Sequence, residues 1–282
     1  MTDAPEDLET TAASVDVEPA ATPHDPERRF IPGDDVLLID RKRRRYLVTL
    51  KEGGEFHNHA GVLPHEDMLG SPEGTTFRTT HGAWLLALRP TLNDIVLKMP
   101  RGAQVIYPKD LGPIVIMADL HPGVRVLESG VGSGALSMAM LRAGATITGY
   151  ELREDFADRA RENVARFTPD LADRYRVELR DCYDGIDERH LDRIVLDLPE
   201  PWRVVPHAEV AMRPGGILVA YTPTIGQAST LRKRLDESRF DFAETLEVLQ
   251  RTWHIEGQSV RPDHRMVAHT GFLTSARLLA AE

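Results

Sequence analysis

Short apolar blocks separated by charged and turn-forming residues run along most of this 282-residue chain. Between residues 30 and 100 the blocks have strand length. "DDVLLID" and "RRYLVTL" read as two strands, and "RKR" at 41–43 fits the turn between them. "GGEFHNHAGVLPHEDMLG" is loop-rich with further short strand and turn signals, and "GAWLLALRPTLNDIVLKM" fits either a helix or a strand. Leu111, Ile114, Val115 and Met117 then recur at helical spacing in "PRGAQVIYPKDLGPIVIMADLHPG".

From residue 124 strand and helix patterns alternate. The strand "VRVLES" meets a Gly-rich turn and the helix "ALSMAMLRAG"; "TITGYEL" precedes the charged helix "REDFADRARENVARF"; "RVELRDC" leads by a loop to "RIVLDLP". A helix around 205–212 ends at "RPGG", and "GILVAYTP" and the amphipathic helix "IGQASTLRKRLDESR" follow. The chain closes on two long strand-like runs, "FAETLEVLQRTWHIEG" and "TGFLTSARLLA". Such alternation predicts an α/β fold, a Rossmann-like parallel sheet with helices on both faces. Five alternating strands and a closing pair predict seven strands, the last antiparallel. The expected division is a tail at 1–27, a small β-rich domain at 28–100 and a main domain at 101–282.

The net charge of −10 argues against a nucleic-acid partner only until it is divided. Residues 1–27 hold eight acids and no Lys or Arg, in a stretch rich in Ala, Pro and Thr that is expected to be disordered. The remainder carries 34 basic and 36 acidic residues, so basic faces are compatible with it. No run reaches the ~18 apolar residues of a membrane span, and the start lacks the basic and apolar regions of a signal peptide. The single cysteine, Cys182, excludes an internal disulfide and suits a reducing cytoplasm.

"VLESGVGSGALS" at 126–137 is the strongest local motif. Gly130, Gly132 and Gly134 let bare backbone approach a ligand, with Ser133, Ala135 and Leu136 completing the entry to a helix. A dinucleotide site would use G-x-G-x-x-G; this turn is E-x-G-x-G-x-G. Glu128 beside it would repel a pyrophosphate but suits a ligand carrying ammonium and sulfonium charges, which favours S-adenosylmethionine over NAD. Glu151, followed by Leu152, ends the next strand where an acid accepts from a ribose diol. Asp181 ends the third strand, placed to accept an adenine amine with the Cys182 backbone N–H beside it; a turn-forming Asp181 and a merely small, buried Cys182 are the plainer alternatives. Asp197 ends the fourth. Four acids at successive strand ends lie where open α/β sheets bind ligands.

"QVIYPKD", "VLESGVGSGALS", "YELRED" and "LDLPEPW" together resemble the tRNA (adenine-N1)-methyltransferases that modify position 58 of the T-loop. The likeness runs over about 30–280, and "FHNHAG", "LRPTLNDIVLKMPRGAQVIYPKD" and "RTWHIEGQSVRP" are most similar to actinobacterial members; Ser129 stands where Ala is common. The resemblance implies a class I methyltransferase core, S-adenosylmethionine as cofactor, tRNA as partner and a homotetramer. It implies that the 130–136 turn and Glu151 hold the cofactor, that Asp181 reads its adenine, and that Gln104, Val105, Ile106 and Tyr107 close over its methionine side. Asp197 and Tyr107 then border the target adenine.

Adenine N1 has a free lone pair, so methylation there needs in-line approach rather than a base. Asp197, accepting from the target N6 amine, would stabilise the cationic product, and Pro199 and Pro201 would fix its aim. Trp202 fits a pocket wall or a core anchor. Arg43, Arg44 and Arg45, in the run "RKRRR", fit either a solvated turn or phosphate contacts; "LRKRL" at 231–235 reads as a helix's solvent face. His57 and His59 form an H-x-H pair with no third ligand near them, so a loop role rather than a metal is expected. A protein or small-molecule methyltransferase, a non-catalytic tRNA-binding scaffold subunit and a NAD dehydrogenase are the competing readings.

Overall fold

The computed structural model describes residues 29–102 and 104–281. The tail expected at 1–27 lies outside the described residues. The chain divides into two compact units, with the boundary at Arg89/Pro90, ahead of the 100/101 boundary expected.

In the first unit β1 (Asp35–Asp40), β2 (Arg45–Thr49), β5 (Thr76–Arg78) and β6 (Trp84–Leu88) form an antiparallel sheet in the order β2-β1-β6-β5. β3 (Glu55–Asn58) and β4 (Gly61–Pro64) form a separate hairpin. Val36, Leu38, Leu50, Leu63 and Leu85 fill the core with Phe30, Phe56 and Met68. The basic run turns the β1–β2 hairpin around one acid. Asp40 Oδ1 accepts from the backbone N–H of Lys42 and of Arg44, both at 2.9 Å, and Oδ2 accepts from Arg44 Nε at 2.6 Å.

The apolar stretch at 83–99 resolves into both of its alternatives. It is strand as far as Leu88, then helix α1 (Leu92–Lys98) after Pro90. The break is a capping box: Thr91 Oγ1 accepts from the Asp94 N–H while the Asp94 carboxylate reaches back to Thr91. Helix α2 (Pro108–Met117) follows, with Pro108 at its first position, where its missing N–H costs nothing.

The second unit's sheet contains β7 (Arg125–Ser129), β8 (Thr146–Glu151), β9 (Tyr175–Leu179), β10 (Leu191–Asp197), β11 (Met212–Thr222), β12 (Phe240–Glu247) and β15 (Phe272–Leu278). Their order is β12-β15-β11-β10-β7-β8-β9. β7 to β11 run parallel, and β15 inserts antiparallel between β11 and β12. Helices α3 (Ala135–Arg142), α4 (Glu154–Phe167), α5 (Val205–Ala211) and α6 (Ile225–Asp236) make the connections. Six of the seven residues of β10 are buried, the pattern of a strand covered on both faces.

Two expectations are corrected here. Helix α5 ends just before "RPGG", as expected, but those four residues are not a turn ahead of the strand: they are taken up at the start of β11, where the register against β10 shifts between Leu191 and Arg193. "FAETLEVLQRTWHIEG" is not one strand. β12 stops at Glu247, and Trp253–Glu256 (β13) pairs with Ser259–Pro262 (β14) in a separate two-stranded ribbon.

Candidate active site

The glycine turn between β7 and α3 gives the site its shape. Gly130, Gly132 and Gly134 all have positive φ, +84°, +56° and +79°. At Gly130 a Cβ would overlap the Asp197 carbonyl oxygen. The two strand ends therefore pass at backbone contact, which only glycine permits.

Around this turn stand the acids. Glu151, last in β8, binds the turn directly: its Oε2 accepts from the Gly132 N–H and its Oε1 from the Arg153 N–H, both at 3.0 Å. Glu128 lies beneath, wholly buried, with Oε2 accepting from Ser137 Oγ at 2.6 Å. Its Oε1, like the buried Ser133 Oγ, finds no partner among the described residues. Burial lifts the Glu128 carboxyl from 4.5 to about 8, the Ser137 hydrogen bond opposes this, and the nearby Asp197 and Glu151 charges add to it. Glu128 is thus largely neutral at pH 7 in the ligand-free chain, and a positive charge nearby favours its ionised form.

Asp197, the last residue of β10, is half-buried at the floor of a cavity of about 780 Å³. Desolvation raises its carboxyl from 3.8 to about 7, helped by repulsion from Glu151. Gln104, Val105, Ile106 and Tyr107 form one wall of the cavity, and Tyr107 is also the residue that precedes α2. The first three, with Asp197, also line a smaller recess against Gly130, Gly132, Ser133, Ala135 and Leu136. The expected cofactor and catalytic residues of the 104–107, 130–136 and 197 segments therefore meet in one place.

Other expected residues do not line these two cavities. Asp181 lies two residues beyond the end of β9, and its Oδ1 accepts from the Tyr183 N–H at 2.9 Å. Cys182 is buried and its thiol is pushed up to about 11 by that burial, so it is not a reactive thiolate. Leu152 is 69% exposed. Trp202 does not line the large cavity; it is partly buried and packs on the core cluster of Leu127, Ile194 and Leu196 with Tyr183 and Leu198.

In the first unit Arg41, Lys42, Arg44 and Arg78 border a concave site of about 270 Å³ with His59 and Trp84. Neither Arg43 nor Arg45 lines it. Arg44 is tied to Asp40 and, at 2.8 Å, to His59 Nε2. His57 pairs with Glu55 at 3.0 Å, which gives the H-x-H pair two separate partners.

Sequence reasoning missed part of the lining. Tyr221, Pro223 and the segment Met266–Thr270 line the large cavity together with Gln104–Tyr107. His269 is fixed between Glu247 Oε1, 2.7 Å, and the Pro223 carbonyl, 2.8 Å, and the Glu247 bond raises its pKa. No local motif marks these residues, although "RTWHIEGQSVRP" signals the segment before them.

Comparison with known proteins agrees with this arrangement. A family model described as the GCD14 subunit of a tRNA methyltransferase complex matches residues 83–264, and a TrmI-like N-terminal model matches residues 29–77. The tRNA (adenine(58)-N(1))-methyltransferase TrmI of Thermus thermophilus is 39% identical over 246 residues, 86% of this chain and 96% of its own. A SAM-dependent O-methyltransferase from Thermotoga maritima superposes with a TM-score of 0.87 at 32% identity, covering 92% of this chain and 98% of that one. The tRNA (m1A58) methyltransferase TrmI from Aquifex aeolicus gives 0.80 at 28% identity, covering 90% and 100%.

Proposed function

Because this chain belongs to the tRNA methyltransferase family of the GCD14 and TrmI proteins, we infer that it transfers a methyl group from S-adenosylmethionine to N1 of adenine 58 in the tRNA T-loop. The observation that carries this reading is that Asp197 lines both the large cavity, with Tyr107, and the smaller recess of the glycine turn.

The residues at the turn fit the cofactor on their own chemistry. A cation satisfies the buried Glu128, whose Oε1 lacks a partner among the described residues. Glu151, held by two backbone N–H groups, keeps lone pairs for a ribose diol. Gly130 leaves room where a side chain would block the approach. Bound there, S-adenosylmethionine supplies an electrophilic methyl on a sulfonium.

The chain's own part in the reaction is aim and charge. The target adenine must be flipped from the folded RNA to reach the cavity. Asp197 accepts from its N6 amine, which fixes N1 in line and offsets the positive charge left on the ring. An ionised Asp197 is required for this; burial and Glu151 raise its carboxyl to about 7 in the ligand-free chain, and the positive charge of a bound cofactor favours the ionised form. Tyr107 stacks on or hydrogen-bonds the base. Arg41, Lys42 and Arg78, with Trp84, form a phosphate-contacting surface on the first unit. Arg43, Arg44 and Arg45 share this role, beside the bonds that hold Arg44 to Asp40 and His59.

We further propose a homotetramer acting in the cytoplasm; in support, among the described residues no helix is long and apolar enough to cross a membrane, and the relatives matched act on tRNA by name. The second reading is a scaffold subunit, since the matching family model is described as a complex subunit. The intact turn and Asp197 favour the catalytic one. Incubation of the purified chain with unmodified tRNA and labelled S-adenosylmethionine, followed by nucleoside mass spectrometry, tests it: 1-methyladenosine at position 58 is expected, and a chain that binds tRNA without transferring methyl would be the scaffold.

A further inference from the structure

The cavity wall that the sequence did not reveal belongs to a long excursion of the chain. After β12 the backbone leaves the sheet, forms the β13–β14 ribbon and returns at β15. The ribbon exposes Trp253, Ile255 and Val260, so its apolar burial is too small to hold it in place. Its returning limb nevertheless forms one side of the site.

Two adjacent residues hold both ends of that excursion. Lys109 Nζ donates to the Val248 carbonyl at 2.6 Å, where the chain leaves. Asp110 Oδ2 accepts from Thr270 Oγ1 at 2.6 Å, where it returns. The two are paired with each other at 2.7 Å, with side chains only 2% and 0% exposed. Above them Tyr221 donates its hydroxyl to the Thr270 carbonyl at 2.5 Å. A Cβ on Gly271 would strike the Tyr221 ring, so the returning limb lies flat against it. Residues 109 and 110 directly follow Tyr107 and Pro108 at the start of α2, so one short segment supplies part of the cavity lining and fastens the Met266–Thr270 part.

A buried ion pair is a poor source of stability, because desolvation offsets most of its attraction. Its value here is geometric: Lys109 and Asp110 each bond the other and one foot of the excursion. We propose that Lys109 and Asp110 are positioning residues that clasp both feet of the 249–269 excursion, set the separation of the cavity walls, and thereby aim the acceptor adenine at Asp197. This rests on the function inferred above. The clasp touches neither the glycine turn nor Glu151, so it acts on the acceptor side of the reaction.

Thr270→Val tests it with least disturbance, since it keeps the shape and removes only the hydroxyl that Asp110 holds. Three readouts on the full-length protein are needed: the steady-state rate with tRNA, S-adenosylmethionine affinity by calorimetry, and hydrogen–deuterium exchange along the chain. The clasp predicts a roughly 10- to 100-fold lower kcat, the scale of a misplacement near 1 Å. It also predicts unchanged cofactor affinity and faster exchange confined to 249–271. Thr270→Ser, which restores the hydroxyl, should recover most of the rate. Wild-type kcat in a folded Thr270→Val protein, unaltered exchange in the ribbon, or equal losses for Val and Ser would each overturn the proposal. Methylation by the wild type in the same assay reports separately on the function on which it rests.

Discussion

Glu128→Gln should flatten the fall in stability that the ligand-free protein shows between pH 5 and pH 8. The unfolded chain ionises this carboxyl near 4.5, whereas the folded chain holds its proton to about 8, mainly because the group is buried. Between those values the folded state binds more protons, so stability is fullest below 4.5 and is lost as pH rises toward 8. At about 1.4 kcal/mol per pH unit the loss is under about 1 kcal/mol at pH 5 and on the order of 4–5 kcal/mol at pH 8. Glutamine keeps the size and can accept the Ser137 hydroxyl, but it has no proton to lose. Asp197 titrates in both proteins. Its charge adds to the Glu128 shift, so the difference between the two proteins reads Glu128 together with that coupling. Urea titrations at pH 5, 6, 7 and 8 should show the mutant's advantage growing by several kcal/mol, or roughly 10 °C in melting temperature. Parallel stability curves for the two proteins would refute the buried, neutral Glu128.

Three further outcomes are expected. Gly130→Ala forces a Cβ onto the Asp197 carbonyl and a side chain into left-handed φ, and should cost about 3 kcal/mol or more by urea unfolding. Glu151→Ala should weaken S-adenosylmethionine binding about 10- to 100-fold by calorimetry, the scale of a lost charged hydrogen-bonding partner, while circular dichroism shows an intact fold. Replacing Arg41, Lys42 and Arg78 by Ala should raise the tRNA KM and flatten its salt dependence by roughly one log–log unit per lost phosphate contact, with cofactor affinity unchanged.

What the sequence made legible follows from how local each signal is. The acids at 128, 151 and 197 were readable because a parallel strand, its end and the turn after it lie within a dozen residues. The antiparallel last strand followed from the missing helix between the closing runs. The break at 89–91 was also written locally, as Pro90 and a Thr-x-x-Asp capping pattern, but two apolar runs on either side concealed it. The ribbon was concealed in the same way, because β12 and β13 share an uninterrupted strand-like composition. The clasp had no local signal at all: Lys109 meets Val248 across 139 residues and Asp110 meets Thr270 across 160. Glu128 was legible by position but not in its protonation, since spacing identifies a carboxyl and only packing decides whether it holds its proton.

The most direct test of the mechanism is single-turnover methylation of tRNA by Asp197→Asn beside the wild type, with a melting curve for each. Asparagine still points an oxygen at the N6 amine but carries no charge to offset the cationic ring. The rate should fall roughly 10²- to 10³-fold, with cofactor and tRNA affinities moving far less. A folded Asp197→Asn protein that methylates at the wild-type rate would contradict the role given to Asp197.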